Sequence, residues 1–174
     1  DHLRVNHYAG INPSQAITVS VWAKSNGVNW DSDHSLMSKR NAFILSPVLN
    51  TNHMRFYIYR TGDTWRSVYV NPGVDITQWH QYTGVYDGTN IQLYVDGVFK
   101  GQTTWPGTIN ADTSYLYIGR DDNSTANNRN FGGSMDDALI FDQALTPAAV
   151  LALYDGSLNL SATYPDTGNK RINE

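Results

Sequence analysis

Residues 85–101, VYDGTNIQLYVDGVFKG, alternate apolar and polar side chains around two Asp-Gly pairs. An Asp-Gly pair between alternating apolar residues is the signal for a two-residue hairpin of type I′, in which both central residues take positive φ. The pair at 96–97 would then place Tyr94 opposite Phe99 on one face. Residues 87–90, DGTN, predict a longer turn before the same hairpin. Both aspartates are therefore interpreted as turn residues, not as ligands of a metal or a sugar.

The same period of two recurs along the chain and predicts strands. Paired turn residues such as Asn-Gly, Gly-Asp, Pro-Gly and Gly-Gly separate the alternating segments. Many short strands at even spacing indicate an all-β, antiparallel sandwich or barrel. The eight predicted strands lie within 16–24, 53–60, 65–70, 79–86, 90–95, 98–102, 114–120 and 135–141.

One helix is predicted near the end of the chain, in ALTPAAVLALYDG at 144–156. Thr146 is a favourable N-cap, Pro147 fits the first helical position, and Gly156 can end the helix. Its expected apolar stripe consists of Val150, Leu151 and Tyr154. The domain is expected to span 1–160, and the polar residues 161–174 are expected to form a frayed end or a linker.

Composition excludes several classes of protein. The 174 residues suit a single domain, and a net charge of −4 with a pI near 5.6 provides no basic field for nucleic acid. No run of 18 apolar residues predicts a membrane span, and there are no cysteines. Because the sequence begins at Asp1 and not at Met, we expect that it was excised from a longer parent or lost a leader.

Four segments in order resemble the laminin-G-like (concanavalin A-like lectin/glucanase) superfamily, and in particular its bacterial-type LamG jelly-roll domains. They are AITVSVWAK, QWHQYTGVYDGTNIQLYVDGVFKG, LYIGRDD and FGGSMDDALIFDQALTPAAVLALY. The resemblance implies a two-sheet jelly roll of about 12–14 strands with the helix at its side. It does not choose a function, because lectins, adhesion modules, carbohydrate-binding modules, glycosidases and lyases share this fold.

The sequence offers little for catalysis. Glycoside hydrolysis usually needs two carboxylic acids, and the only glutamate is Glu174. Asp136 and Asp137 are adjacent on a predicted strand, so they are expected to point to opposite faces. Lyases of this fold pair a His with a Tyr. His53 shares its predicted face with Arg55 and the tyrosines that follow, but the other lyase strands are missing. We therefore predict that the chain is not an enzyme, with a polysaccharide lyase or glycosidase as the less favoured alternative.

Two regions are candidate carbohydrate sites, since such sites combine aromatic platforms with planar polar groups. The first is a pair of neighbouring strands. Within each strand the aromatic residues are an even number of positions apart, so their side chains share one face: Tyr57, Tyr59, Trp65 and Tyr69. The second is the polar loop at 119–133, which offers Arg120, Asp121, Asp122 and Asn123. The alternative for the aromatic residues is a place in the core, and for the loop a solvated surface with internal turns. Trp22 and Trp79 are expected in the core.

The resemblance also implies a structural Ca²⁺ ion. The segment GSMDDALIF matches the family's late strand and assigns Asp136 as a ligand, with Asp1 or nearby carbonyl groups as partners. Ca²⁺ prefers six to eight oxygen ligands, and no contiguous acidic loop supplies them.

These observations favour a secreted, non-catalytic carbohydrate-binding module that holds a parent enzyme or surface protein on a polysaccharide. The alternative is a calcium-dependent adhesion or protein-interaction LamG module. The aromatic strands and the polar loop remain two separate hypotheses for the binding surface.

Overall fold

The computed structural model describes residues 1–31, 34–62, 64–121 and 130–158. Within these residues the chain forms two antiparallel sheets, one α-helix and a short 3-10 helix at Ala9–Ile11. In chain order the strands are β1 (Leu3–Val5), β2 (Ile17–Ser25), β3 (Met37–Lys39), β4 (Phe43–Pro47), β5 (Met54–Tyr59), β6 (Trp65–Val70), β7 (His80–Tyr86), β8 (Asn90–Val95), β9 (Val98–Thr104), β10 (Leu116–Ile118) and β11 (Gly133–Phe141), and α1 is Pro147–Tyr154.

The six-stranded sheet has the order β1-β10-β3-β4-β5-β6, and the five-stranded sheet has the order β11-β2-β7-β8-β9. This arrangement confirms the all-β, two-sheet jelly-roll sandwich with a single short helix. The described residues contain eleven strands, and the 12–14 that the resemblance implies refer to the whole domain.

All eight segments with alternating side chains form strands, whereas β1, β3 and β4 were not predicted. Strands β1 and β3 have three residues each, so any alternation within them is too short to predict a strand, whereas the equally short β10 lies within the longer alternating segment 114–120. All five residues of β4 are buried, so polar and apolar positions do not alternate along it. The missing signal therefore has a physical cause in each strand.

The main core lies between the two sheets. Alternate residues of each strand point inward, including Val19 of β2 and Phe56 of β5, both fully buried. Gly84 of β7 lies directly under the Phe56 ring, where an added methyl group would come within 2.5 Å of Phe56 Cγ. A glycine at this position lets the aromatic ring of one sheet reach the backbone of the other.

A second apolar cluster covers part of the outer face of the five-stranded sheet. It contains Val85, Tyr94, Leu139, Phe141, Leu145 and Val150 of α1. Because α1 and the segment before it cover this area, even the polar residues Thr18 and Ser20 of β2 are buried. The Leu145 backbone N–H donates to Thr18 Oγ1, and the Ser20 and Thr83 hydroxyl groups bond to each other at 2.8 Å.

The Asp-Gly hairpin forms as predicted. Asp96 and Gly97 have φ values of 52° and 74°, and Tyr94 lies opposite Phe99. At 87–90, Asp87 Oδ1 accepts hydrogen bonds from the backbone N–H groups of Thr89 and Asn90. Asp87 therefore stabilises a local turn.

The helix begins and ends where the sequence indicates. Thr146 Oγ1 accepts a hydrogen bond from the Ala149 backbone N–H, and Pro147 occupies the first turn. Only Val150 of the expected apolar stripe is fully buried, since Leu151 and Tyr154 remain 49% and 36% exposed. Among the described residues, no helix has the length and apolar character that crossing a bilayer requires.

Candidate functional site

The four aromatic residues predicted as a platform lie on the outer face of the six-stranded sheet. Strands β5 and β6 are neighbours, with Tyr59 opposite Trp65 and Arg55 opposite Tyr69. Their inward-facing neighbours Met54, Phe56 and Ile58 are buried in the core. The alternation of the sequence therefore assigns these faces correctly.

Three of the four aromatic rings form one group. The Trp65 ring lies edge-on to Tyr59 at 5.2 Å and to Tyr57 at 6.0 Å, measured between ring centroids. Tyr69 is separate from this group, because it stacks on His53 at 4.7 Å and is 52% exposed. Whether any of these rings binds a sugar stays a prediction.

A cavity of about 240 Å³ opens beside this aromatic group. We call it the arginine cavity, and its lining residues are Ser35, Arg40, Ile44, Ser46, Arg55, Tyr57, Trp65 and Asp121. It contains members of both predicted sites, namely Tyr57 and Trp65 from the strands and Asp121 from the polar loop. One cavity therefore brings together two residues of the aromatic hypothesis and one residue of the loop hypothesis.

Asp121 is held firmly in the wall of the arginine cavity. It is only 5% exposed, and its carboxylate accepts hydrogen bonds from Ser38 Oγ at 3.0 Å and from Arg40 Nη1 at 2.6 Å. A buried carboxylate needs such partners, because an unpaired charge in the protein interior is costly. The Arg40 side chain remains 30% exposed, so it is both anchored and accessible from the cavity.

Arg55 contributes the second guanidinium group of the cavity. Its Cζ lies 5.2 Å from the centroid of the Tyr57 ring, within the range of a cation–π contact. Its Nε is buried and has no hydrogen-bond partner among the described residues. With two guanidinium groups and one carboxylate, the lining of the arginine cavity carries one net positive charge.

The other loop residues do not join this cavity. Arg120 lies over the Tyr117 ring, with its Cζ 5.5 Å from the ring centroid, and its Nη1 is 3.4 Å from His2 Nε2. Asp122 and Asn123 lie outside the described residues, so their predicted role in ligand binding stays a prediction. Asp121 is thus the only one of the four predicted loop residues that lines the arginine cavity within the part of the chain described.

Sequence reasoning missed Arg40 and Ser38 as site residues. Ser38 is the middle residue of β3, the three-residue strand that has no alternating pattern, and Arg40 directly follows this strand. The only available signal is the tripeptide Ser38–Arg40, in which polar residues interrupt an apolar region. That signal alone does not distinguish a strand from a loop.

Two tryptophans occupy environments that differ from the expectations. They contrast with Trp30, which is 1% exposed and packs against Tyr82 and Phe131 in the main core. Trp79, expected in the core, is 41% exposed. Trp22 is only partly buried on the outer face of the five-stranded sheet. The expectation of core positions for Trp22 and Trp79 was therefore wrong, because α1 covers only part of that face.

Asp1 and Asp136, the predicted calcium ligands, line a common cavity of about 430 Å³ together with Asp137. In the described part of the chain, no three Asp, Glu, His or Cys side chains are close enough to hold a metal ion together. Backbone carbonyl groups and water would therefore have to supply most of the oxygens that Ca²⁺ requires. The calcium site stays a prediction.

The expectation that Asp136 and Asp137 point to opposite faces was wrong. The register of β11 against β2 shifts between Asp136 and Leu139, and Asp137 has a φ of 46°. Such a bulge interrupts the regular alternation of a strand. As a result, both aspartates are exposed and line the same cavity.

Comparison with known proteins supports the fold described above. The family model of the concanavalin A-like lectin/glucanases superfamily matches residues 1–151. No curated protein matches the sequence. Many solved structures do match.

Three solved structures illustrate this similarity. A heptameric SAP-like pentraxin from Limulus polyphemus is 19% identical with a TM-score of 0.65, and the match covers 88% of this chain and 75% of the pentraxin. Domain 4 of an extracellular arabinanase from Geobacillus stearothermophilus, solved in complex with arabinotriose, is 19% identical with a TM-score of 0.67 and coverage of 88% and 72%. The ligand-binding domain of botulinum neurotoxin serotype D, solved with N-acetylneuraminic acid, is 17% identical with a TM-score of 0.68 and coverage of 90% and 40%.

This chain therefore spans about two fifths of the toxin domain and roughly three quarters of the other two proteins. Identities below 20% establish the shared fold alone. The strand order, the two sheets and the family match over residues 1–151 agree with one another. The chain belongs to the concanavalin A-like lectin/glucanases superfamily.

Proposed function

We propose that this chain is a carbohydrate-binding module that performs no chemistry and binds a polysaccharide through the arginine cavity. The observation that carries the proposal is the meeting of Trp65 and Tyr57 with Arg40, Arg55 and Asp121 around a single cavity. Aromatic rings can stack on the apolar face of a sugar ring, while guanidinium and carboxylate groups bond its hydroxyl groups. Solved domains of the same fold with arabinotriose and with N-acetylneuraminic acid support the proposal.

The charge of the cavity favours an acidic sugar. Arg55 Nε needs an acceptor that the described residues do not supply, and Arg40 already donates to Asp121. A guanidinium group binds a carboxylate strongly and with defined geometry. The volume of about 240 Å³ is small, so we propose that the arginine cavity holds one acidic sugar unit of a longer chain.

The test is affinity electrophoresis in gels that contain polygalacturonate, alginate or a neutral polysaccharide. Trp65→Ala should weaken binding to an acidic polysaccharide about tenfold, because a lost stacking contact is worth about 1.4 kcal/mol. Arg55→Gln should weaken the same binding, and raising the salt concentration should reduce wild-type binding. Tyr115→Ala is the matched control, since Tyr115 is another exposed aromatic residue that lies outside the cavity.

Unchanged retardation of both Trp65→Ala and Arg55→Gln on every polysaccharide that the wild type binds would exclude the arginine cavity as the binding site. The absence of catalysis is tested in the same samples. New reducing ends or unsaturated products after incubation with the wild type would show a glycosidase or lyase instead.

We also propose that the module is secreted and attached to a parent enzyme or surface protein. Tethering a catalytic domain to its polymer raises the effective concentration of substrate, even when each contact is weak. The extracellular arabinanase with a domain of this fold supports this role. Finding this chain inside cells and without a neighbouring domain in its gene would contradict it.

A second candidate is a calcium-dependent adhesion module, favoured by the cavity that Asp1 and Asp136 share. If Ca²⁺ binds there, excess Ca²⁺ raises the melting temperature and a chelator lowers it, because a ligand of the native state stabilises it. Asp136→Asn should abolish this shift, whereas Asp142→Asn, at an exposed Asp outside the cavity, should not. An identical melting temperature with Ca²⁺ and with a chelator would show that the native protein binds no Ca²⁺. It would then exclude a calcium-dependent adhesion module and a structural Ca²⁺ ion in a carbohydrate-binding module.

A further inference from the structure

A second cleft lies on the opposite side of the molecule, on the outer face of the five-stranded sheet. It has a volume of about 300 Å³ and is lined by Trp22, Trp79, Asp136 and Asp137. We call it the tryptophan cleft. None of its residues belongs to the arginine cavity, whereas Asp136 and Asp137 also line the cavity of about 430 Å³ that contains Asp1.

Trp22 forms the floor of the cleft. It belongs to β2 and alternates with the inward-facing Val21 and Ala23, so its ring lies on the outer face. On one side the ring stacks on Tyr154 of α1, with 5.6 Å between centroids and 24° between planes. The end of the helix therefore fixes the orientation of the Trp22 indole.

Trp79 forms the exposed wall. It lies immediately before β7, is 41% exposed, and has Lys24 Nζ at 5.3 Å from its ring centroid. An exposed tryptophan that is held by a neighbouring cation retains a large apolar surface in contact with water. Such a surface is typical of a binding site, since tryptophan otherwise contributes most when it is buried.

The bulge in β11 brings two carboxylates to this aromatic surface. Asp136 lies directly opposite Trp22 in the sheet, and Asp137, with its φ of 46°, lines the same cleft. Asp tolerates positive φ better than most residues, and the bulge that it forms allows both carboxylates to line the same cleft. Within the described residues, neither carboxylate takes part in an ion pair with Lys, Arg or His.

Gln81 supplies a third polar group beside Trp22. It lies opposite Trp22 on β7, so its side chain is on the same face of the sheet. Gln81 is 3% exposed, and its Oε1 is buried with no hydrogen-bond partner among the described residues. A buried acceptor without a donor costs free energy, so Gln81 marks an unsatisfied polar position next to Trp22, although it does not itself line the cleft.

The charge of the tryptophan cleft is opposite to that of the arginine cavity. Two carboxylates face one ammonium group, that of Lys24, so an acidic sugar would be repelled. Carboxylates accept hydrogen bonds from pairs of sugar hydroxyl groups, and the indole rings offer faces for the C–H groups of the ring. Both properties select a ligand that has many hydroxyl groups and no negative charge.

We propose that the tryptophan cleft is a second carbohydrate site, which binds an uncharged glycan by stacking on Trp79 and Trp22 and by hydrogen bonds to Asp136 and Asp137. This inference does not depend on the function proposed for the arginine cavity. The two sites lie on different sheets and share no residue.

The experiment uses the whole chain in affinity electrophoresis with arabinan, xylan, glucomannan and mixed-linkage β-glucan, and with polygalacturonate as the acidic polymer. Trp79→Ala should lower the association constant for at least one neutral polymer about tenfold, while Trp65→Ala changes it less than about twofold. Phe99→Ala is the matched control, because Phe99 is 49% exposed on the same sheet but lies outside the cleft. Binding of the neutral polymer should also be insensitive to salt between about 0.05 and 0.5 M.

Trp79 is chosen because its exposed ring can be removed with little effect on folding, and circular dichroism verifies the fold of each variant. Asp137→Asn is the second variant, since it keeps the shape of the side chain and removes its charge. It should weaken binding of the neutral polymer, because a charged carboxylate is a stronger hydrogen-bond acceptor than an amide oxygen.

Three results would overturn the inference. One is a wild type that binds none of the neutral polymers. The second is neutral binding that Trp79→Ala leaves unchanged. The third is neutral binding that Trp65→Ala abolishes and Trp79→Ala does not, which would keep the arginine cavity as the carbohydrate site but contradict its proposed preference for an acidic sugar.

Discussion

Gly84 shows how a single residue sets the distance between the two sheets. Phe56 of the opposite sheet covers it so closely that a methyl group would overlap the ring. Gly84→Ala is therefore expected to lower the free energy of unfolding by about 2–3 kcal/mol, because the core must shift to accommodate the extra carbon. Urea denaturation measures the change. Gly27→Ala is the control, since its nearest neighbour would lie 3.6 Å away and stability should not fall.

Asp112 links stability to pH. Partial burial alone would raise the pKa of its carboxyl group, but hydrogen bonds from Ser114 and Asn41 and the charge of Lys39 together lower this pKa below 3.8. The unfolded chain then binds the proton more tightly than the folded chain. The stabilisation is therefore fully present above about pH 4 and is lost as the pH falls through the folded pKa.

Asp112→Asn is expected to lower the free energy of unfolding by about 1 kcal/mol near neutral pH, where the charged hydrogen bonds are intact. In acid the two proteins should become more similar in stability. Urea denaturation at several values between about pH 7 and pH 2 measures the difference. A constant difference across this range would show that Asp112 does not contribute through its charge.

Residue environments were the least predictable level of the molecule. Trp22, Trp30 and Trp79 carry the same side chain, yet one forms the floor of a cleft, one is buried and one is exposed. The alternation of side chains along a strand predicts which face of the sheet a residue occupies. Whether that face is covered depends on which other element packs against it. For Trp22 this element is α1, whose position on the sheet has no signature in the sequence.

At the level of elements, the hairpin of β8 and β9 is more than a local turn. Asp96 Oδ1 accepts a hydrogen bond from the Gln81 backbone N–H at 2.9 Å, and Oδ2 is 2.6 Å from His80 Nδ1. The turn residue therefore joins the hairpin to the beginning of β7. The sequence correctly indicates a turn, but it gives no sign of this long-range contact.

Asp96→Ala is expected to cost about 2–3 kcal/mol of stability, because alanine is strained at positive φ and leaves the Gln81 N–H without its acceptor. Asp96→Asn should cost less, about 1 kcal/mol, since asparagine tolerates this conformation and keeps a carbonyl acceptor. Thermal and urea denaturation of both variants show which of the two loses more stability. Equal losses would mean that neither backbone strain nor the hydrogen bond to Gln81 determines the stability of the hairpin.

Long alternating strands and the capped helix were predictable because their signals are local. The aromatic face of β5 and β6 was also predictable, since a short turn makes the two strands neighbours. Strand β3 was not, and with it Arg40 and half of the arginine cavity were missed. A three-residue strand is defined by its neighbours in the sheet, and one of the two neighbours of β3, strand β10, is distant in sequence.

At the scale of the whole molecule, the two proposed sites lie on different sheets and carry opposite charge. If both bind, one copy of the chain can hold an acidic and a neutral polymer at the same time. Beads coated with polygalacturonate and loaded with the wild type should then retain the neutral polysaccharide that the tryptophan cleft binds. Loading the beads with Trp79→Ala should prevent this retention. With Trp65→Ala, much less of the protein itself should remain on the beads. Retention that persists with Trp79→Ala would contradict the two-site arrangement.

The stack of Trp22 on Tyr154 connects the tryptophan cleft to the last turn of α1. A sugar that holds the Trp22 indole in place would also restrain this turn, which is otherwise the exposed end of a short helix. Hydrogen exchange of the amides in the last turn of α1 should therefore slow when the cleft is occupied. Ligand binding on the sheet would then be detected in a helix that does not itself line the cleft. The exchange rate of the α1 amides would therefore report whether the tryptophan cleft holds a ligand.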